Sequence, residues 1–356
     1  AVFLDRPELL DPVRRNLEMM QYLVHPNGNV VTDYSHRQDA NTQVSFAIYY
    51  TACRWMASLL KNGRFAAMAE WAASFGGRSE LVDMMALPQL YADVEPEPLP
   101  TRYRVLLGGD GPAAAEIPRI FHYDRHRRRY TPGAHVFRLR DGEASVTVAA
   151  ENDEFLAVRY GEAALRAVRF VPAFFGAGPV RFAAIETDGD SLVLRRRLSA
   201  WYNGPLPKEH RRPDGVWPLM DHARRPLDHW CFFDITVRVD FEPDGLSLRF
   251  RAEGQANVPA QLVLRFAEDG ELSGEGLERV SVPESARATA SAAEYGLVHG
   301  AARFMKGDRG LEVGPGRRAH TWLVVRGDTP RQFTQNVCIN WVAPFDETIS
   351  IRYVRT

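Results

Sequence analysis

From His135 to the C-terminus the apolar residues recur with a period of two, and this pattern limits the chain more than any other. Phe137 and Leu139 alternate with Arg138 and Arg140, and Asp141-Gly142 then turns the chain into EASVTVAA. Ile235, Val237, Val239 and Phe241 alternate with Thr236, Arg238 and Asp240 before Pro243-Asp244-Gly245 turns into Leu246, Leu248 and Phe250. VRFAAIET ends at Asp188-Gly189 and leads into SLVLRRRL, and QLVLRF, HTWLVV and ISIRYV continue the series. Alternation places every second side chain on one face, and Asp-Gly steps suit hairpin turns. Residues 134–356 are therefore expected to form a large antiparallel β-sandwich.

The first 95 residues read differently. Asp11-Pro12 resembles a helix start, Val44, Ile48, Ala52, Trp55 and Leu59 recur at helical spacing up to Asn62-Gly63, and further helices are expected over 64–75 and 79–91. VEPEPLP then breaks the helical pattern, so residues 96–133 are read as a linker. The expected fold class is multidomain α and β, with a helical region of α/α-toroid type followed by the sandwich.

Composition narrows the partners. A formal net charge of −1 argues against a general nucleic-acid binder, and no run of eighteen apolar residues offers a membrane span. Cys53, Cys231 and Cys338 lie in apolar contexts without CxxC spacing, as buried thiols do.

Three stretches concentrate reactive side chains. The loop HPNGNVVTDYSHRQDANTQ, residues 25–43, brings Tyr34, His36, Arg37 and Asp39 within six positions. A phenol and an imidazole can move protons while a guanidinium holds a carboxylate or sulfate. The plainer alternative is that Arg37 and Asp39 pair or cap the next helix, with His36 solvated. FHYDRHRRRY supplies His122, Tyr123 and Arg125, suited to the rim of an anion-binding groove or to a solvated charged linker. In an excursion between Trp201 and Asp228, His222, Asp228 and His229 are metal-capable types near Cys231, although their spacing matches no tight zinc signature.

The motifs HPNGNVVTDYSHRQD, FLAVRYGEAALRAVRFVPAFFG and WVAPFDETISIRYV, together with the helical, linker and sandwich order, resemble the heparinase II/III-like polysaccharide lyases. That resemblance implies β-elimination on an acidic, uronate-containing polysaccharide in a groove between toroid and sandwich. Tyr34 would take the C5 proton and return one to the leaving oxygen, and His36 would assist. Arg37 would clamp the carboxylate, with Asp39 beside it, and His122, Tyr123 and Arg125 would line the wall. The chemistry requires no cofactor; a structural zinc at His222, Asp228 and His229 is the one metal the residues suggest. The resemblance also implies a bacterial periplasmic or secreted protein and a further segment or chain completing the toroid. Two other readings stay open: a non-catalytic carbohydrate-binding or scaffold protein, and a glycoside hydrolase, which would need two carboxylates facing one another; Asp33 and Asp39 are available, but nothing in the sequence pairs them.

Overall fold

A computed structural model describes residues 6–35, 42–76, 93–107, 121–124, 129–132, 136–280, 293–322, 324–328 and 335–356. Two large sheets carry the molecule. The first has nine strands in the order β1 (Arg102–Leu107), β4 (Val136–Asp141), β5 (Ala144–Ala149), β6 (Leu156–Tyr160), β7 (Ala163–Pro172), β12 (Pro259–Phe266), β18 (Gln335–Val342), β15 (Ala293–Leu297) and β14 (Leu277–Val280). The second has eight, in the order β13 (Glu271–Ser273), β16 (Ala302–Lys306), β17 (Arg309–Gly314), β19 (Phe345–Arg355), β11 (Gly245–Gly254), β10 (Leu227–Glu242), β9 (Ser191–Asn203) and β8 (Glu186–Asp188). Neighbours pair antiparallel except β15 and β18, which run parallel. A separate ribbon pairs β2 (Phe121–Asp124) with β3 (Arg129–Pro132).

The inner faces of the two sheets share one core. Val146, Phe170 and Leu262 from the first sheet and Val237, Leu248 and Ile349 from the second are buried together. Aromatic pairs span the gap: Phe137 lies 5.2 Å from Phe241, and Phe174 lies 5.7 Å from Phe233, centroid to centroid. Burying this apolar area is the main force holding the sheets face to face.

The outer face of the first sheet is also covered. Helices α1 (Leu10–Met20), α2 (Tyr50–Leu60) and α3 (Gly63–Ala73) bury Leu17, Met20, Met56, Phe65 and Met68 in a second cluster that includes Leu107 of β1 and Val136 of β4. Further along, Val325 packs on Val171, Val263 and Cys338, and Arg169 bonds Asp328 at 2.7 Å beneath that cover. The second sheet instead turns a ladder of exposed ion pairs to solvent, among them Arg197 with Asp234 and Arg249 with Asp346. Among the described residues no helix is long and apolar enough to cross a membrane.

The expected multidomain α and β class is corrected. The described residues hold nineteen strands and three helices of eleven residues each, so the molecule is mostly β and no α/α toroid is present among them. A toroid is a ring of paired helices, whereas these short helices lay their apolar stripe on a sheet. Two helix ends are corrected as well. The first helix begins at Leu10, with Asp11 already in its first turn. Asn62 caps the start of α3, accepting from the backbone N–H groups of Arg64 and Phe65, while left-handed Lys61 closes α2. The helix expected over 79–91 lies outside the described residues. Residues 96–133, read as a linker, contribute β1 to the first sheet, and the ribbon of β2 and β3 also lies within them. Of VRFAAIET only Glu186 and Thr187 are strand, within β8, and the described part of HTWLVV is not.

Candidate functional site

The loop singled out from sequence is nailed to the first sheet through its least conspicuous polar residues. Asn27-Gly28 forms a tight turn, with the Gly28 N–H donating to His25 O at 2.9 Å. Gly28 has φ +80°, and a Cβ there would lie 2.3 Å from the Phe75 ring, so the position requires glycine. This turn drives His25 into the outer face of β4 and β5. Its Nδ1 lies 2.9 Å from Ser145 Oγ, and its Nε2 lies 3.4 Å from Asp33 Oδ2, outside hydrogen-bond geometry.

Arg138 is the hub beneath it. Fully buried, it donates to Tyr22 O at 3.1 Å, Val146 O at 3.0 Å, Thr147 Oγ1 at 2.5 Å and Ser145 Oγ at 2.8 Å. Asp33 accepts from Thr147 at 3.2 Å and from Arg159 at 3.3 Å. Burial pushes the His25 pKa down, as do the Arg159 and Arg138 guanidiniums, to about 3. Burial alone would raise Asp33, but Arg159, His25 and Arg138 hold its carboxyl well below the usual carboxylate range. The cluster therefore contains a neutral imidazole, one carboxylate and two guanidiniums, and its geometry is that of an anchor. An Asp33 held ionised in this way cannot serve as a general acid; of the two roles in a hydrolase pair, only that of base or nucleophile is compatible with its charge.

Tyr34 follows directly, in the turn closed by Ser35 N–H donating to Thr32 O at 2.9 Å, and packs half-buried against the helical cluster. His36, Arg37, Asp39 and Arg125 lie outside the described residues. His122 and Tyr123 stand on β2, opposite Thr131 and Tyr130. The zinc ligands expected in the excursion are not brought together: His222 Nε2 sits 2.8 Å from Trp217 O, Asp228 lies against Gly204, and the His229 ring is 6.4 Å from Tyr202. Among the described residues no group of three or more His, Cys, Asp or Glu side chains is placed to hold a metal.

Sequence reasoning passed over a second feature of the same region. Beyond the core, β9 and β10 continue as a two-stranded ribbon. Trp201 is directly opposite Trp230, so both occupy one face, and Phe232, two residues on, shares it. Cys231 and Phe233 between and beyond them point into the core, so this aromatic face is the outer one. Trp201, Trp230 and Phe232 are 43, 48 and 45% exposed. The Trp201 and Trp230 rings are 5.0 Å apart, and Trp230 and Phe232 lie 6.5 Å apart within 14° of parallel. The Arg197 guanidinium stacks 5.6 Å above Phe232 while bonded to Asp234 through two contacts. One extra residue in β10, between Leu227 and Trp230, breaks the register there and marks a bulge. The visible signal was WYN and HWCFF at the two ends of the excursion, an aromatic at alternate positions where a polar face was due.

No family model matches the chain, and no curated protein does. The functional reading therefore rests on the geometry of this chain.

Proposed function

We propose that this chain binds carbohydrate, an acidic polysaccharide or oligosaccharide, through the aromatic face of β9 and β10. The supporting observation is the set of three exposed rings on one strand face, next to one arginine, Arg197, held by two contacts to Asp234. Indole and phenyl faces receive the C–H face of a sugar ring, and the guanidinium and carboxylate rim offers hydrogen bonds to hydroxyl and acidic groups. An apolar patch of this kind on an otherwise charged sheet marks an interaction site more often than chance exposure.

The test is calorimetric titration with alginate, heparan sulfate, chondroitin, hyaluronan and pectin oligosaccharides. Trp230→Ala is expected to weaken binding on the order of tenfold, since a stacked ring contributes about 1 kcal/mol or more. Its thermal midpoint should fall only slightly, by the loss of the cross-strand ring contact with Trp201, so the fold is kept. No binding across the panel, or binding indifferent to Trp230→Ala and Trp201→Ala together, defeats the reading.

A second reading adds β-elimination at Tyr34. It is favoured by the seating of that residue: its neighbour Asp33 accepts from Arg159 and Thr147, and the turn that carries it is closed by Ser35 N–H donating to Thr32 O. A base that must meet a C5 proton profits from such a fixed mount. Appearance of unsaturated uronate in an ultraviolet assay, abolished in Tyr34→Phe, is the expected result. Binding without any such product leaves the protein a carbohydrate binder only.

A further inference from the structure

Away from the aromatic face, a cavity of about 520 Å³ opens between the end of α1, the flank of α3, the proline-rich segment 96–100 and β4. Its volume is that of a small-molecule site. Gln21, Glu70, Trp71, Glu97, Leu99 and Arg140 carry its chemistry. The wall formed by the proline-rich segment is fixed in place. Glu97 N–H donates to Gly63 O at 3.0 Å, and a Cβ on Gly63 would lie 2.5 Å from Glu95 O, so only glycine lets the segment approach α3 this closely.

Two polar groups in the lining are held out of water without being satisfied. Gln21 is 6% exposed and its Oε1 has no hydrogen-bond partner among the described residues; the same holds for Arg140 Nε. Arg140 is oriented by stacking 5.0 Å above the Trp71 ring. Buried polar groups are normally paired, and both of these residues line the cavity. Such a partner must accept from Arg140 and donate to Gln21. Glu70 and Glu97 ask for further donors, while Trp71 and Leu99 supply an apolar wall. The lining holds one guanidinium against two carboxylates. The carboxylates disfavour an anion, the guanidinium, its Nε unpartnered among the described residues, disfavours a cation beside it, and a neutral ligand rich in hydroxyls can accept from Arg140 and donate to the carboxylates.

We propose that this cavity binds an uncharged polyol of the size of a single hexose ring. The site is separate from the aromatic face and stands whether or not that face binds carbohydrate. The experiment is saturation-transfer NMR on the full chain carrying Trp201→Ala and Trp230→Ala, which removes the other surface, with glucose, galactose and mannose set against glucuronate and glucosamine. At least one neutral hexose should show transfer that glucuronate does not. Gln21→Met, which keeps the volume and removes the amide, should weaken that hexose tenfold or more at a thermal midpoint no lower than the parent's, because the buried Oε1 is unpaired among the described residues of the free protein. Glu97→Gln, at an exposed position, should weaken it severalfold without touching the fold. Absence of transfer from every neutral hexose, preference for glucuronate or glucosamine, or affinity unaltered by both substitutions would overturn the proposal.

Discussion

Arg138, Ser145 and Thr147 alternate with apolar neighbours as solvent-facing strand residues do, yet all three are buried. Alternation reports that a strand has two unlike faces; it does not say that the polar one is wet. The same ambiguity hid His25 and Asp33, which sequence reading passed over or offered only as a hydrolase carboxylate, in favour of the denser Tyr34 cluster. Their burial has a measurable pH signature. Folded His25 stays neutral down to about pH 3, whereas an unfolded histidine titrates near 6.5. Between those values the unfolded chain binds a proton that the native one does not, so stability falls as pH drops through 6.5. Asp33, held below its ordinary range, adds a loss of the same sign below about pH 4. His25→Asn removes the titrating group and keeps an amide facing Ser145. From pH 7 to pH 5 the parent should lose about 2 kcal/mol more than this variant, read from urea midpoints. Parallel profiles would show that His25 is not kept neutral.

At the scale of elements, the Asn62 side chain joins two helices, because left-handed Lys61 ends α2 and Asn62 starts α3 one residue later. Asn62→Ala should cost about 1 kcal/mol, seen as a lower denaturation midpoint, with Asn62→Asp largely restoring it as an equivalent cap. A variant as stable as the parent would mean that the two bonds to Arg64 and Phe65 contribute nothing. The Asn-Gly pair was legible as a helix boundary; which helix it served was not, since both a left-handed stop and a capping start favour Asn. Hairpins were easier to read. Asp141-Gly142, Asp188-Gly189 and Asp244-Gly245 all lie at turns between paired strands, because few other residues accept those backbone angles. HTWLVV misled for a physical reason: Val325 is apolar because it covers Val171, Val263 and Cys338, not because it joins a ladder. Strand β1 was hidden by its setting, six residues just after a proline-rich run, and only its pairing with β4 identifies it.

For the whole molecule, the change of period near residue 135 suggested separate helical and β units, and the three short helices do precede the sandwich strands. What the sequence could not convey is that the core of the helices is continuous with the outer face of the first sheet. Their cluster takes in Leu107 and Val136, and Tyr103 of β1 donates to Tyr22 O at 3.1 Å while its ring stands edge-on to Tyr22 at 5.2 Å. Arg138 reaches from β4 to the same carbonyl. Pulling the helices away would expose the apolar outer face of β1 and β4 and break the contacts that cross between the layers: Arg138 and Tyr103 to Tyr22 O, His25 to Ser145, and Asp33 to Thr147 and Arg159. Breaking even one buried ion pair costs about 3–5 kcal/mol, a large part of an ordinary folding free energy. Helices and first sheet should therefore unfold together. Native-state hydrogen exchange measures this directly: amides of Met56 and Met68 in the helices and of Val146 and Leu262 in the sheet should share one opening free energy and one denaturant slope. Arg138→Met, which leaves Asp33 without one of its cations, should lower all four together. If the helical amides open at several kcal/mol below those of the sheet, the helices form a separate folding unit and the buried network does not couple the layers.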